Sequence, residues 1–80
     1  MGQQVGVRVY PDAATNDLRM PDGGYGRNSD GTWLVRPPGA HTGALDGHAV
    51  TEHEDGTITV SPSIDGEGFH GHLINGVWTW

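Results

Sequence analysis

His53-Glu54-Asp55-Gly56-Thr57-Ile58-Thr59-Val60-Ser61-Pro62-Ser63-Ile64 holds an Asp-Gly step between two β-favouring runs. That arrangement is the strongest short-range hairpin signal a sequence offers. A two-residue turn at Asp55-Gly56 would pair Glu54 with Thr57, His53 with Ile58 and Thr51 with Val60. Opposed residues share a face. Ala49, Thr51, His53, Ile58 and Val60 are therefore expected inside, with Val50, Glu52, Glu54, Thr57, Thr59 and Ser61 outside. Pro62 cannot continue the ladder, and the hydroxyls of Ser61 and Ser63 can satisfy backbone groups freed at the corner.

Downstream the same signal recurs. Asn75-Gly76 predicts a second hairpin pairing Ile74 with Val77, Leu73 with Trp78 and His72 with Thr79. One face collects Phe69, Gly71, Leu73, Trp78 and Trp80 and reads as core; the other holds His70, His72, Ile74, Val77 and Thr79. Gly71, opposite Trp80, leaves room for an indole across the strand. Asp-Gly or Asn-Gly steps begin at positions 22, 30, 46, 55, 65 and 75. Punctuation this regular predicts an antiparallel meander rather than a parallel α/β sheet.

Upstream, residues 3–10 alternate. Val5, Val7 and Val9 fall on one face, expected to be the half-buried one, and Gln4, Gly6 and Arg8 on the other. Residues 13–31 form a long loop in which 13–20 can make about two helical turns capped by Asp12 or Thr15, with a short strand near 24–27. Residues 32–36 are a strand stopped by Pro37-Pro38-Gly39, and 39–47 are a second loop. The predicted fold is mainly β: a small antiparallel roll or barrel-like sheet of about five to seven short strands with little helix. It forms one domain, 1–80, in which 1–31 are a strand plus variable loop and 32–80 the β core.

The composition sets the class. Fourteen glycines disfavour helix, since each interior Gly costs roughly 1 kcal/mol against Ala. With no cysteine in 80 residues, neither a disulfide framework nor a Cys-based zinc site is available. Arg8, Arg19, Arg27 and Arg36 balance Asp12, Asp17, Asp22 and Asp30 in the front half. Asp46, Glu52, Glu54, Asp55, Asp65 and Glu67 then carry the whole net charge of −6. An acidic surface repels a phosphate backbone, so duplex nucleic acid is not an expected partner. No apolar run approaches the ~18 residues of a spanning helix, so no membrane partner is expected. Residues 1–6 start like an acylation site, but Gly6 stands where Ser or Thr is required. No signal-peptide pattern appears, which predicts an intracellular product.

Residues 55–64 match at every position the strand Asp-Gly-Thr-[Ile/Val/Leu]-Thr-[Leu/Val]-Ser-Pro-Ser-[Ile/Val] of a family of small bacterial and phage proteins. Phe69-His70-Gly71-His72-Leu73-Ile74-Asn75-Gly76 is similar to that family's closing His-bearing hairpin, and Trp33-Leu34-Val35-Arg36-Pro37-Pro38-Gly39 extends the resemblance over about 32–80. Many relatives carry cysteines in the Pro-Gly region and beside the His; this chain has none. The resemblance implies the fold and a phage or prophage origin, hence a host-cytoplasmic or virion location, and brings no activity with it.

Three functional readings follow. The first is a non-enzymatic accessory protein that binds other proteins, such as a capsid decoration protein or a host-factor binder. It is expected to be a homo-oligomer, because strand 3–10 and residues 77–80 approach sheet edges that lack protective charges. In the second, Gly-rich 22–27 contacts a nucleotide or small ligand, with Tyr25 stacking and Arg27 pairing, in a counter-defence role. The third uses His70-Gly71-His72, two imidazoles on one strand face, to hold zinc with a third ligand from His41, His48 or His53. His53 is the preferred third ligand. The Ser-Pro-Ser segment lacks the strained turn of a catalytic nucleophile, and no enzymatic activity or required cofactor is expected.

Overall fold

The computed structural model describes residues 2–66 and 68–80. Met1, where the acylation-like start begins, and Glu67 of the acidic half lie outside the described residues. The chain is all-β with no helix among the described residues, and its ten short strands exceed the five to seven expected. They are β1 Gln3–Val5, β2 Val7–Val9, β3 Gly24–Arg27, β4 Trp33–Val35, β5 Gly43–Ala44, β6 Ala49–Glu52, β7 Ile58–Ser61, β8 Ile64–Gly66, β9 Phe69–Ile74 and β10 Val77–Thr79. They build a four-stranded sheet β1-β10-β9-β8, a second four-stranded sheet β2-β3-β4-β5, and the hairpin β6-β7. The ladders are antiparallel except β2 with β3, a parallel pair the meander reading did not contain.

The strand expected over 3–10 divides between the two sheets at Gly6. Its amide donates to the Gly76 carbonyl on one side (2.8 Å), and the next amide, Val7, donates to Gly23 on the other (3.0 Å). Gly6 must face inward, because a Cβ there would meet the Tyr25 ring at 2.8 Å, the Gly76 carbonyl at 2.9 Å and the Trp78 indole nitrogen at 3.0 Å. Alternation then fixes its neighbours: Gln4 and Arg8 turn inward with Gly6, and the valines turn out. The expected faces are inverted, with Val5 74 % and Val7 47 % exposed.

Residues 13–20 make no helix. The Asp12 carboxylate accepts the Ala14 and Thr15 amides (2.8 and 3.1 Å) as an N-cap would, but Asn16 turns left-handed (φ 60°) and the chain closes on itself, with Asp12 N–H donating to Asp17 O. Beyond that turn the segment lies flat on β3. Cβ atoms at Gly24 and Gly26 would meet Met20 Sδ at 2.9 Å and Leu18 Cδ1 at 3.4 Å.

The second hairpin has the expected register, Val77 opposite Ile74, Trp78 opposite Leu73 and Thr79 opposite His72. The first does not. Glu52, not His53, stands opposite Ile58, and Val50, not Thr51, opposite Val60. Ile58 and Val60 are buried as expected, but the β6 faces are reversed: Ala49 and Thr51 are exposed, and Val50 packs against the core. The cause is one extra loop residue: His53 N–H donates to Thr57 O, leaving Glu54, Asp55 and Gly56 as a three-residue loop with only Gly56 left-handed (φ 88°).

The core joins Tyr25, Val35, Ala40, Leu45, Ile58, Val60, Ile64, Phe69, Leu73 and Trp78. At its centre the fully buried Trp78 donates its indole N–H to Gly23 O (2.7 Å), tying the two four-stranded sheets together. Phe69 meets Trp78 edge to face at 5.5 Å. Trp80, expected in the core, is 44 % exposed. The site at Gly71 that would have held its indole is filled by the Thr79 carbonyl, the Phe69 ring and the Trp80 Cβ, and the indole lies over Gly2 instead. Nor is β10 an edge, since β1 and β9 flank it.

Candidate functional site

Of the two residues expected to meet a nucleotide, Tyr25 is a core side chain, 2 % exposed. Its position level with Arg8 and Val35 on the inner face of the second sheet leaves no ring face open for stacking. Burial pushes its phenol pKa up, against the opposing pull of Arg8. Arg27 reaches the surface, where Nε bonds the Gly31 carbonyl (3.4 Å) and the guanidinium lies 6.0 Å from the Trp33 ring. Residues 22–27, four of them in β3, thus supply an arginine without the aromatic partner expected for it.

The histidines are dispersed. His70 and His72 point outward from β9, opposite Asp65 and Thr79. His53, expected on the apolar face, stands just before the three-residue loop, and its Nε2 bonds Thr59 Oγ1 at 2.8 Å. The shifted register carried it there. His48 Nε2 contacts Ser63 O, and its Nδ1 contacts Asp46 O, both at 3.2 Å. His41 lines a crevice of about 90 Å³ with His48 and Asp65. Among the described residues no group of three or more His, Cys, Asp or Glu side chains is placed to hold a metal ion.

Arg8 belongs to a cluster that the sequence reading did not assign. Its Nη1 donates to Glu52 Oε2 (2.8 Å) and Gly56 O (2.7 Å), and its guanidinium lies over Tyr10 (4.5 Å) and Trp33 (5.1 Å). Its buried Nε has no partner. The cluster fastens the β6–β7 hairpin to the second sheet. A lone charge alternating with valines was the available signal. Beside it an open groove of about 360 Å³ runs past Trp33, Leu45, His48 and Val50.

The outer face of the sheet β1-β10-β9-β8 has a different character. Val5, Val77 and Ile74 are direct cross-strand partners and form one apolar row, with Val5 74 % and Ile74 47 % exposed. Gln3, Thr79 and His72 form the next row, and His70 pairs with Asp65 beyond it. Asp65 is the only carboxylate in these rows, and Val7 extends the apolar strip past Gly6. β1, with no charged residue, is an edge strand of this sheet. No helix of the described residues is long and apolar enough to cross a membrane.

No family model matches this sequence, and neither a curated protein nor a solved structure matches it.

Proposed function

We propose that this chain is a phage-type accessory protein that works by binding protein, without a catalytic step, through the outer face of the sheet β1-β10-β9-β8. The observation that carries the reading is the open cross-strand row Val5–Val77–Ile74. A solvent-facing apolar strip rimmed by polar residues marks interaction surfaces in soluble proteins. The neighbouring uncharged edge β1 offers backbone groups for strand addition. In a chain of net charge −6, this nearly uncharged face is also where a second copy meets least repulsion, which favours homo-oligomers. A virion component of the capsid decoration type and a host-factor binder both fit this chemistry. For the nucleotide reading Tyr25 lies in the core, for the zinc reading His53 is tied to Thr59 away from His70 and His72, and no other observation favours either.

The test is the double substitution Val5→Asp with Ile74→Asp, both at exposed positions. Sedimentation at micromolar concentration and capture from a host lysate are compared with the wild type. The wild type should sediment above monomer mass or retain a defined protein. The double variant should do neither while melting as the wild type does. A wild type that is monomeric and retains nothing, or a folded double variant that behaves like it, overturns the proposal.

A further inference from the structure

The tip of the second hairpin joins an exposed asparagine to a buried glycine, and its contacts bear on a chemical reaction as well as on the turn. Asn75 is exposed and left-handed (φ 48°). Its amide N–H donates to Thr59 Oγ1 at 3.0 Å, and its side-chain Oδ1 accepts from the same hydroxyl at 3.2 Å. The Gly76 N–H donates to Ile58 O at 2.9 Å.

We infer that Asn75–Gly76 is a latent succinimide-forming modification site, held shut by docking of the hairpin tip on β7. In the reaction the Gly76 backbone nitrogen, after losing its proton to solvent base, attacks Asn75 Cγ. A nitrogen–carbon bond forms, and the side-chain amide nitrogen leaves as ammonia. Water then opens the ring at either carbonyl, giving aspartate or isoaspartate; nothing is oxidised or reduced. Glycine is the least obstructive residue at the attacking position, because it has no side chain to shield the nitrogen.

The fold opposes this reaction at both reacting atoms. The proton that must leave Gly76 is engaged by the Ile58 carbonyl, and the acyl group is fixed by Thr59. Thr59 is itself held. A hydroxyl has one proton and two lone pairs, and here the proton goes to Asn75 Oδ1. The Asn75 amide takes one lone pair, and His53 Nε2 contacts the same oxygen at 2.8 Å. Reaction therefore requires the tip to lift from β7, and the rate follows the population of that opened state. Once formed, isoaspartate lengthens a two-residue turn by one backbone methylene, and the register that sets Leu73 opposite Trp78 is lost. On the binding surface proposed above, on which this one consequence rests, the new carboxylate would adjoin Ile74.

The test measures conversion of the amide to acid by mass spectrometry with peptide mapping, and is independent of any partner. Wild-type protein is incubated in mildly alkaline buffer, folded or unfolded in guanidinium. The folded protein should convert at least about tenfold more slowly, corresponding to ~1.4 kcal/mol of closure. Thr59→Val removes the hydroxyl but keeps the shape and should speed conversion of the folded protein about tenfold. Thr59→Ser should restore the slow rate. Equal rates for folded and unfolded wild type overturn the inference, as does a folded Thr59→Val that converts at the wild-type rate. Should Thr59→Val fail to fold, the folded-to-unfolded ratio of the wild type and the Thr59→Ser rate decide alone.

Discussion

The two hairpins of this protein are built on nearly the same dipeptide and turn in different ways. At Asn75-Gly76 both residues are left-handed (φ 48° and 76°), and the strands join through a two-residue turn. At Asp55-Gly56 only the glycine is left-handed (φ 88°), and Glu54 joins the loop. The difference lies in what each side chain does with its oxygen. Asn75 uses Oδ1 on a hydroxyl of another strand, whereas Asp55 uses Oδ1 on its own loop, accepting the Thr57 hydroxyl at 2.6 Å and the Thr57 amide at 3.0 Å. These contacts tie the Asp55 carboxylate to the residue two ahead of it and favour the longer turn. One loop residue decides which β6 side chains face the core, so a small choice at the tip reverses a whole strand.

The largest expected effect tests what the two-residue turn places. Its register puts Trp78 opposite Leu73, both fully buried. Trp78→Ala should cost roughly 3–5 kcal/mol, enough to unfold most of the population, as read by denaturant titration. A stable variant would mean that the second hairpin is not the anchor of the core.

The glycines compare the turns directly. A Cβ at Gly76 would meet the Tyr25 hydroxyl at 2.7 Å and Thr57 Cγ2 at 2.8 Å, whereas at Gly56 its one close contact is the Tyr10 hydroxyl at 2.9 Å, at the end of an exposed ring, with Arg8 Cγ at an ordinary 3.9 Å. Gly76→Ala should lose about 2–4 kcal/mol and Gly56→Ala about 1–2 kcal/mol, the strain of a positive φ applying to both. Equal losses in matched denaturant curves would show that backbone strain alone governs both tips.

The smallest effect is electrostatic and belongs to the longer loop. The Thr57 hydroxyl, followed by the Thr57 amide, holds the Asp55 carboxyl below its ordinary value. A lowered folded pKa adds stability that is present above the unfolded pKa of about 3.9 and is lost as pH falls through the folded value. Asp55→Asn keeps the acceptor oxygen but has no proton to gain. Its melting temperature should fall less steeply than the wild type's below about pH 4. Parallel acid profiles would remove Asp55 from the account of this loop. No such dependence is expected at the other tip, where Asn75 does not titrate.

The sequence announced strands wherever β-branched residues met a turn signal, and the all-β class, the 24–27 strand and the 74–77 register were legible for that reason. Face and register were legible only where the loop length was unambiguous. The valine stripe of 3–10 misled because alternation says which residues share a face, not which face is inside. That choice was made at Gly6, by two aromatic rings from distant segments. Tyr25 was read as a ligand contact because its loop is rich in glycine. Those glycines serve close packing instead, with Met20 and Leu18 lying where side chains would be. The apolar row of the outer sheet face was half visible: Ile74 and Val77 were assigned outward, and Val5 joins them only through the β1–β10 pairing.

That pairing also bears on the order of events in folding. β1, near the start of the chain, takes β10, near its end, as its ladder partner, and Trp80 exchanges backbone hydrogen bonds with Gly2. Contacts spanning almost the whole chain require the largest loop closure and form slowly. Until residues 77–79 are in place, β1 has no ladder, Gly6 has no partner at Gly76, and Gly23 lacks the indole N–H that joins the two sheets. The front half therefore waits for residues 77–79, and the described fold is expected to close in one cooperative step.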